Sequence, residues 1–291
     1  MNPKFNFPGK QRLIFKGRST FKVPKNASGM VKLRSLLVSM VLVAVAGCKI
    51  DSLQDTIVIA DVEKEFKIDY WEELSPTKRG LVFQLETIKD GNCLNSTINY
   101  QFIVAGTKIS LSLDDILTPA DCVPGIAPAV ATAKSGFLAY PTYDLTIDLK
   151  NTVVNKGALT ANSDNYRITM QTEAGLDFVN KKLNRIPDNT FWGYVAYPDG
   201  QTALTDEWLG SVTGIAEAVS AKEGYYGHFT INNNTPQKIF LRNEPENTAF
   251  QAFFLKLNGT EFDLKSKVAS FQNAHTAPVQ LKVYTAWGEV L

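Results

Sequence analysis

From Gly80 onward the chain alternates apolar and polar residues with the period of a half-buried strand. Leu81, Phe83 and Leu85 alternate with smaller or polar neighbours, as do Ile98, Tyr100, Phe102 and Val104. A period of two sends successive side chains to opposite faces of a sheet. Ala105-Gly106-Thr107 turns the chain, and Ile109, Leu111 and Leu113 return. Tyr143, Leu145, Ile147 and Leu149 alternate next, and Tyr166, Ile168 and Met170 follow the turn at Asn162–Asn165. Each such strand has one apolar face that a second sheet must cover. Residues 80–180 are therefore predicted to form an antiparallel β-sandwich.

The pattern changes after residues 180–188, where Lys181, Lys182, Arg185 and Pro187 cluster at a domain boundary. Phe191 to Tyr197 reads as an aromatic strand, with Trp192 and Tyr194 sharing one face under a helix. That helix is capped by Thr205 or Asp206. It carries Trp208, Val212, Ile215 and Val219 as one apolar stripe, and Gly224 fits its C-terminal stop. Strands are predicted around His228–Ile231, Lys238–Arg242 and Phe250–Leu257, with a hairpin turn at Asn258-Gly259. Phe262 to Phe271 fits either a strand or a short helix, and Val279, Leu281, Val283 and Thr285 form a last strand. Residues 188–291 thus read as a smaller α+β domain with one main helix. The chain as a whole is mainly β, with a tether and first strand at 48–79 that include the polar-aromatic patch Asp69–Glu73.

The stretch Met30 to Cys48 obeys a different rule. Lys32 and Arg34 precede an uncharged aliphatic run, Ser35 to Val45, and small residues lead to a cysteine. The run is too short for a membrane span, which needs roughly 20 apolar residues, and it lacks the polar face of a core helix. Val45-Ala46-Gly47-Cys48 resembles the lipobox of bacterial lipoprotein precursors. The resemblance implies that residues 30–47 are a signal peptide cut before Cys48. It also implies diacylglycerol on the Cys48 sulfur and a fatty chain, such as palmitate, on its amine. Residues 1–29 are an extension or a mis-called start. Asp51-Ser52-Leu53 and Asp55-Thr56-Ile57 resemble the O-glycosylation sequon of Bacteroidota, which makes Ser52 and Thr56 candidate glycan sites.

Charge changes its meaning once the leader is set aside. The chain has 30 basic and 29 acidic residues, but Met1–Gly47 holds nine of the basic ones and no acid. The remaining 21 basic against 29 acidic residues give about −8, which argues against nucleic acid. Beyond Cys48 the cysteines are Cys93 and Cys122, an even pair that in an exported chain reads as a disulfide pinning the Pro-rich loop. With no Trp between them, the sandwich is Ig-like in architecture only.

The sequence offers little chemistry. His228 and His275 are far apart, no pair of cysteines is left for a metal, and no Walker loop, G-x-S-x-G elbow or calcium loop occurs. Neither a metal nor a cofactor is expected. Asp206-Glu207 and Glu72-Glu73 are paired only by adjacency, which seldom gives the facing carboxylates of a glycan hydrolase. Aromatic Trp192, Tyr194, Tyr197 and Trp287 could form a platform for a ligand, against the reading that they are core. The leading expectation is a non-catalytic ligand- or partner-binding lipoprotein of the outer membrane, resembling the two-domain β-rich envelope lipoproteins of Bacteroidota. Its partners would be membrane lipid through Cys48 and a glycan or envelope protein. A second reading is a structural subunit similar to fimbrillin-like pilins, cut after Lys78-Arg79 and assembled by strand exchange. A glycan-acting hydrolase is the third.

Overall fold

The computed structural model describes residues 62–233, 238–246 and 248–291. Residues 1–29, the expected signal peptide at 30–47, the expected acylation site Cys48 and the candidate glycan sites Ser52 and Thr56 lie outside the described residues. The fold is mainly β. Strands β1 (Phe66–Glu73), β2 (Gly80–Thr87), β3 (Gly91–Cys93), β4 (Thr97–Ala105), β5 (Lys108–Leu117) and β6 (Pro124–Ala127) come first. They are followed by β7 (Val130–Phe137), β8 (Thr142–Leu149), β9 (Val153–Ala161), β10 (Asn165–Met170), β11 (Leu176–Phe178) and β12 (Lys182–Asn184).

These strands form a four-stranded sheet, β11-β1-β2-β7, and a six-stranded sheet, β12-β10-β9-β8-β5-β4. The alternation in the sequence does what a period of two dictates. Ile109, Leu111 and Leu113 of β5 and Tyr143, Leu145, Ile147 and Leu149 of β8 all point into one core, opposite Leu81, Phe83 and Leu85 of β2. The first strand, expected at the end of the tether, is an inner strand of the four-stranded sheet and buries Phe66, Ile68 and Tyr70. Pairing is antiparallel except where β1 meets β11 and β5 meets β8. Between β5 and β8 the chain visits the other sheet as β7, so it returns in the same direction. Cys93 and Cys122 are disulfide-bonded with a Cα–Cα distance of 5.6 Å, tying β3 to the loop that enters β6.

The second half contains β13 (Thr190–Tyr197), α1 (Ala203–Val212), β14 (Ala216–Ala218), β15 (Gly224–Tyr225), β16 (Phe229–Asn232) and β17 (Lys238–Leu241). It ends with β18 (Ala249–Leu257), α2 (Glu261–Ala274) and β19 (Gln280–Thr285). The main sheet runs β14-β18-β13-β19, and a three-stranded sheet runs β15-β16-β17. All of β13 is buried because both its faces are covered. On one face Trp208 of α1 meets Phe253 of β18 and Phe271 of α2, each with ring centroids 5.7 Å apart, and Phe191 meets Phe253. Trp192 lies on the other face, 5.1 Å from the Phe229 ring and 6.0 Å from Tyr284. The sequence expectation that Trp192 packs under the helix is therefore reversed; the helices cover its odd-numbered neighbours.

Two further expectations are corrected, and an open one is settled. Helix α1 stops at Val212, so Ile215 and Val219 fall beyond it and Gly224 opens a strand instead of closing a helix. Asn258-Gly259 makes no hairpin. Both of their amides donate to the Ile215 carbonyl, and the chain enters α2 directly. The cause is Thr260, whose hydroxyl accepts from the Asp263 amide while the Asp263 carboxylate accepts from the Thr260 amide, a capping box. The ambiguous stretch at 262–271 is thus a helix, and α2 buries Leu264, Val268 and Phe271 at 4-3 spacing. The described residues belong to one unit that holds two hydrophobic cores.

Candidate functional site

Strand β1 joins the two cores because its two faces serve different partners. The inward face ends in Glu72, which is fully buried. A buried carboxylate must be paired and hydrogen-bonded, and Glu72 accepts from Arg185 Nε (3.1 Å), the Tyr166 hydroxyl (3.1 Å), the Ile186 amide (2.9 Å) and, at 3.4 Å, Arg79 Nη1. Arg79 also donates to the Ile186 and Ala286 carbonyls and to Asp188. One carboxylate therefore fastens the sandwich to the start of the second half. The Tyr166 phenol is pushed well above its ordinary value by burial and by this anion.

The outward face of β1 presents Lys67, Asp69, Trp71 and Glu73, and here Arg242 is the hub. It comes from the residue following β17, and its guanidinium lies 4.1 Å from the centre of the Trp71 ring. Nη1 donates to Asp69 (2.9 Å), to the Tyr225 hydroxyl (3.1 Å) and to the Gly227 carbonyl (3.2 Å), and Nη2 donates to Gln84 Oε1 (2.7 Å). The Tyr225 hydroxyl in turn donates to Asp69 at 2.7 Å. Burial, then this bond to Asp69, pushes the Tyr225 phenol well above its usual range.

Two clefts flank the Trp71–Arg242 stack. The first, about 340 Å³, is mixed: Lys67, Asp69, Gln84, Glu86 and Arg242 line it together with the apolar Val179, Phe229, Phe240 and Leu241. The second, also about 340 Å³, is aromatic, walled by Trp71, Val82, Trp192, His228 and Tyr284. No protein-family model, curated protein or solved structure matches the chain. The site is therefore read from its own geometry alone.

His228 reaches the aromatic cleft through a close approach. Gly227 has φ +81° and stands against Trp71, where a Cβ would come within 2.3 Å of the Trp71 Cβ. Only glycine lets the turn sit this tightly on β1. His228 Nε2 then lies 2.9 Å from the Glu72 carbonyl oxygen. A carbonyl can only accept, so Nε2 carries the proton and the neutral ring has Nδ1 as its acceptor. Burial lowers the pKa of His228, and Arg242 adds to the effect.

The platform proposed from sequence is not one. Trp192 (2% exposed), Tyr194 (7%) and Tyr197 (5%) of β13 belong to the second core, as does Trp287 (9%) in the turn after β19. The edge of Trp192 alone borders the aromatic cleft. Glu72 and Glu73, adjacent in sequence, point to opposite faces; Glu73 pairs with Lys134 at 2.6 Å. Glu207 pairs with His275 at 2.8 Å, linking the two helices on the surface far from His228 in sequence. Among the described residues no group of His, Cys, Asp and Glu could hold a metal ion. Sequence reasoning missed Arg242 and Gln84 entirely, while Asp69 and Trp71 were visible only as a polar-aromatic patch.

The carboxylates of the junction are paired with cations. Asp69 is held by Arg242, Glu86 by Lys67 and Glu73 by Lys134. Glu289 is held below the usual carboxylate range by Lys265 and the Trp287 indole.

Proposed function

We propose that the chain is the precursor of a lipid-anchored, non-catalytic binding protein of the bacterial cell envelope, tied to the outer membrane through acylated Cys48. The anchor rests on the order of basic, aliphatic and small residues before Cys48. The Cys93–Cys122 bridge accords with export. Binding rests on one observation above all: polar side chains converge on an open cleft where every carboxylate already has a fixed partner. Intact-mass analysis of the precursor expressed in a Gram-negative host tests the anchor. Loss of residues 1–47 with a gain of acyl chains is expected, and Cys48→Ala should leave the leader uncut. A free Cys48 thiol or a retained leader sinks the proposal.

The pilin-like reading gains support from β1, whose removal would open a groove between β2 and β11 lined by the neighbours of Phe66, Ile68 and Tyr70. Against it stands Arg79, whose guanidinium is occupied at the junction and only 10% exposed. Limited proteolysis with a trypsin-like enzyme separates the two readings: a binding protein keeps β1 and stays monomeric, whereas a pilin loses it and forms ladders on native gels.

A further inference from the structure

We infer that the mixed polar and apolar cleft beside Arg242 is a sugar-binding site that takes a neutral, polyhydroxylated ring. The inference rests on the binding-protein reading and adds the ligand class and its contacts. Charge is the first argument. The charged side chains lining the cleft are Lys67, Arg242, Asp69 and Glu86, which cancel. Lys67 is bonded to Glu86 at 2.7 Å and Arg242 to Asp69 at 2.9 Å. An anionic or cationic ligand would have to displace a counter-ion already in place, and the desolvation cost of that exchange opposes it.

Hydrogen-bonding capacity is the second argument. Gln84 Oε1 is taken by Arg242, which leaves its amide protons without a partner among the described residues. Glu86 binds Lys67 through Oε1 only, leaving Oε2 as an acceptor, and the Thr230 hydroxyl is likewise unpartnered. The open positions are thus a mixture of donors and acceptors on an amide, a carboxylate and a hydroxyl. Adjacent hydroxyls, each able to donate and accept, match that mixture without any charge. A simple apolar ligand would leave these groups unpaired, at a cost.

Preorganisation and shape complete the case. The Arg242 guanidinium is immobilised by four acceptors and the Trp71 face, so little side-chain freedom is lost when a ligand arrives. Phe240, which lines the cleft, is 48% exposed. The C–H face of a sugar ring carries partial positive charge and suits the negative face of that aromatic ring. The volume of about 340 Å³ lies at the small end of ligand sites, enough for one or two rings.

Isothermal titration of the mature chain with neutral trisaccharides (glucan, mannan and galactan), uronate trisaccharides and dipeptides tests the inference. Gln84→Ala and Phe240→Ala, both at the open surface, serve as site variants, with Val290→Ala in the aromatic cleft as control. Circular-dichroism melts show that each variant is folded. At least one neutral trisaccharide should bind, each site variant should weaken it about tenfold or more, and Val290→Ala should leave it unchanged. Silence of all neutral sugars, or binding that ignores both site variants, overturns the inference. Binding of a uronate or a dipeptide that is lost in the same variants also overturns it, yet leaves the binding-protein reading standing. Silence of the whole panel together with an unacylated Cys48 removes both.

Discussion

Glu72 shows what a single buried charge does in this molecule. It is fully enclosed with two guanidiniums, a phenol and a backbone amide around it. Deleting one partner of such a cluster leaves the others uncompensated, so Glu72→Ala should cost about 3–5 kcal/mol by urea denaturation. Glu72→Gln keeps the shape and some of the hydrogen bonds and should cost less. His228 supplies a pH dependence. Its folded pKa lies below the ordinary 6.5, chiefly through burial. The unfolded chain therefore binds a proton more readily, and the stability present above pH 6.5 is lost as pH falls toward the folded value. Urea midpoints at pH 7.5 and 5.5 should show this loss, and His228→Gln should shrink it. An NMR titration placing the His228 transition at or above 6.5 would refute the assignment. The sequence pointed to His228 as a titratable group among aromatics, but the role of Glu72 was not legible in it. Glu72 looked like half of an acidic pair, and only its position on the inward face of β1 distinguishes it from Glu73.

At the scale of elements, strand β13 and helix α2 define the second core. Gly193 lies in the middle of β13, where an added Cβ would meet the Lys282 carbonyl oxygen at 1.9 Å. Backbone cannot yield there as a side chain would, so Gly193→Ala should destabilise the fold by roughly 1–3 kcal/mol in thermal melts. Thr260 starts α2 through its capping box, and Thr260→Ala should cost about 1 kcal/mol. Sequence periodicity found most of these elements because it reports burial on one face. It failed for β7 and β9. In β7 the buried residues are the small Ala131 and Ala133, and in β9 they are Asn155 and Leu159. Asn155 is satisfied inside by bonding the Ala174 carbonyl and amide, so a polar letter stands where the pattern needed an apolar one. Helix α1 was drawn too long because Ile215 and Val219 continue the apolar spacing after the helix has ended.

On the scale of the whole molecule, two cores are joined by β1, Glu72 and the Arg242 hub, while the disulfide secures the far loop of the sandwich. Cys93 and Cys122 are 29 residues apart. Closing such a loop constrains the unfolded chain by about 3–4 kcal/mol. The double replacement Cys93→Ser/Cys122→Ser should lower stability by that order in urea denaturation, and reductant should then have no further effect. An unchanged midpoint would show that the bridge constrains nothing.

By itself the sequence determined the strand-rich first half, the helix-bearing second half, the cysteine pair, the acidic balance of residues 48–291 and the expectation of a lipid anchor. These follow from local period and composition, which near neighbours along the chain express. Tertiary structure alone decided which face of β13 the helices cover and that Arg242 meets Asp69 and Gln84 across 173 and 158 residues. Such convergence depends on how two cores dock. Docking sums many small packing terms spread along the chain, and no short pattern of residues carries that sum.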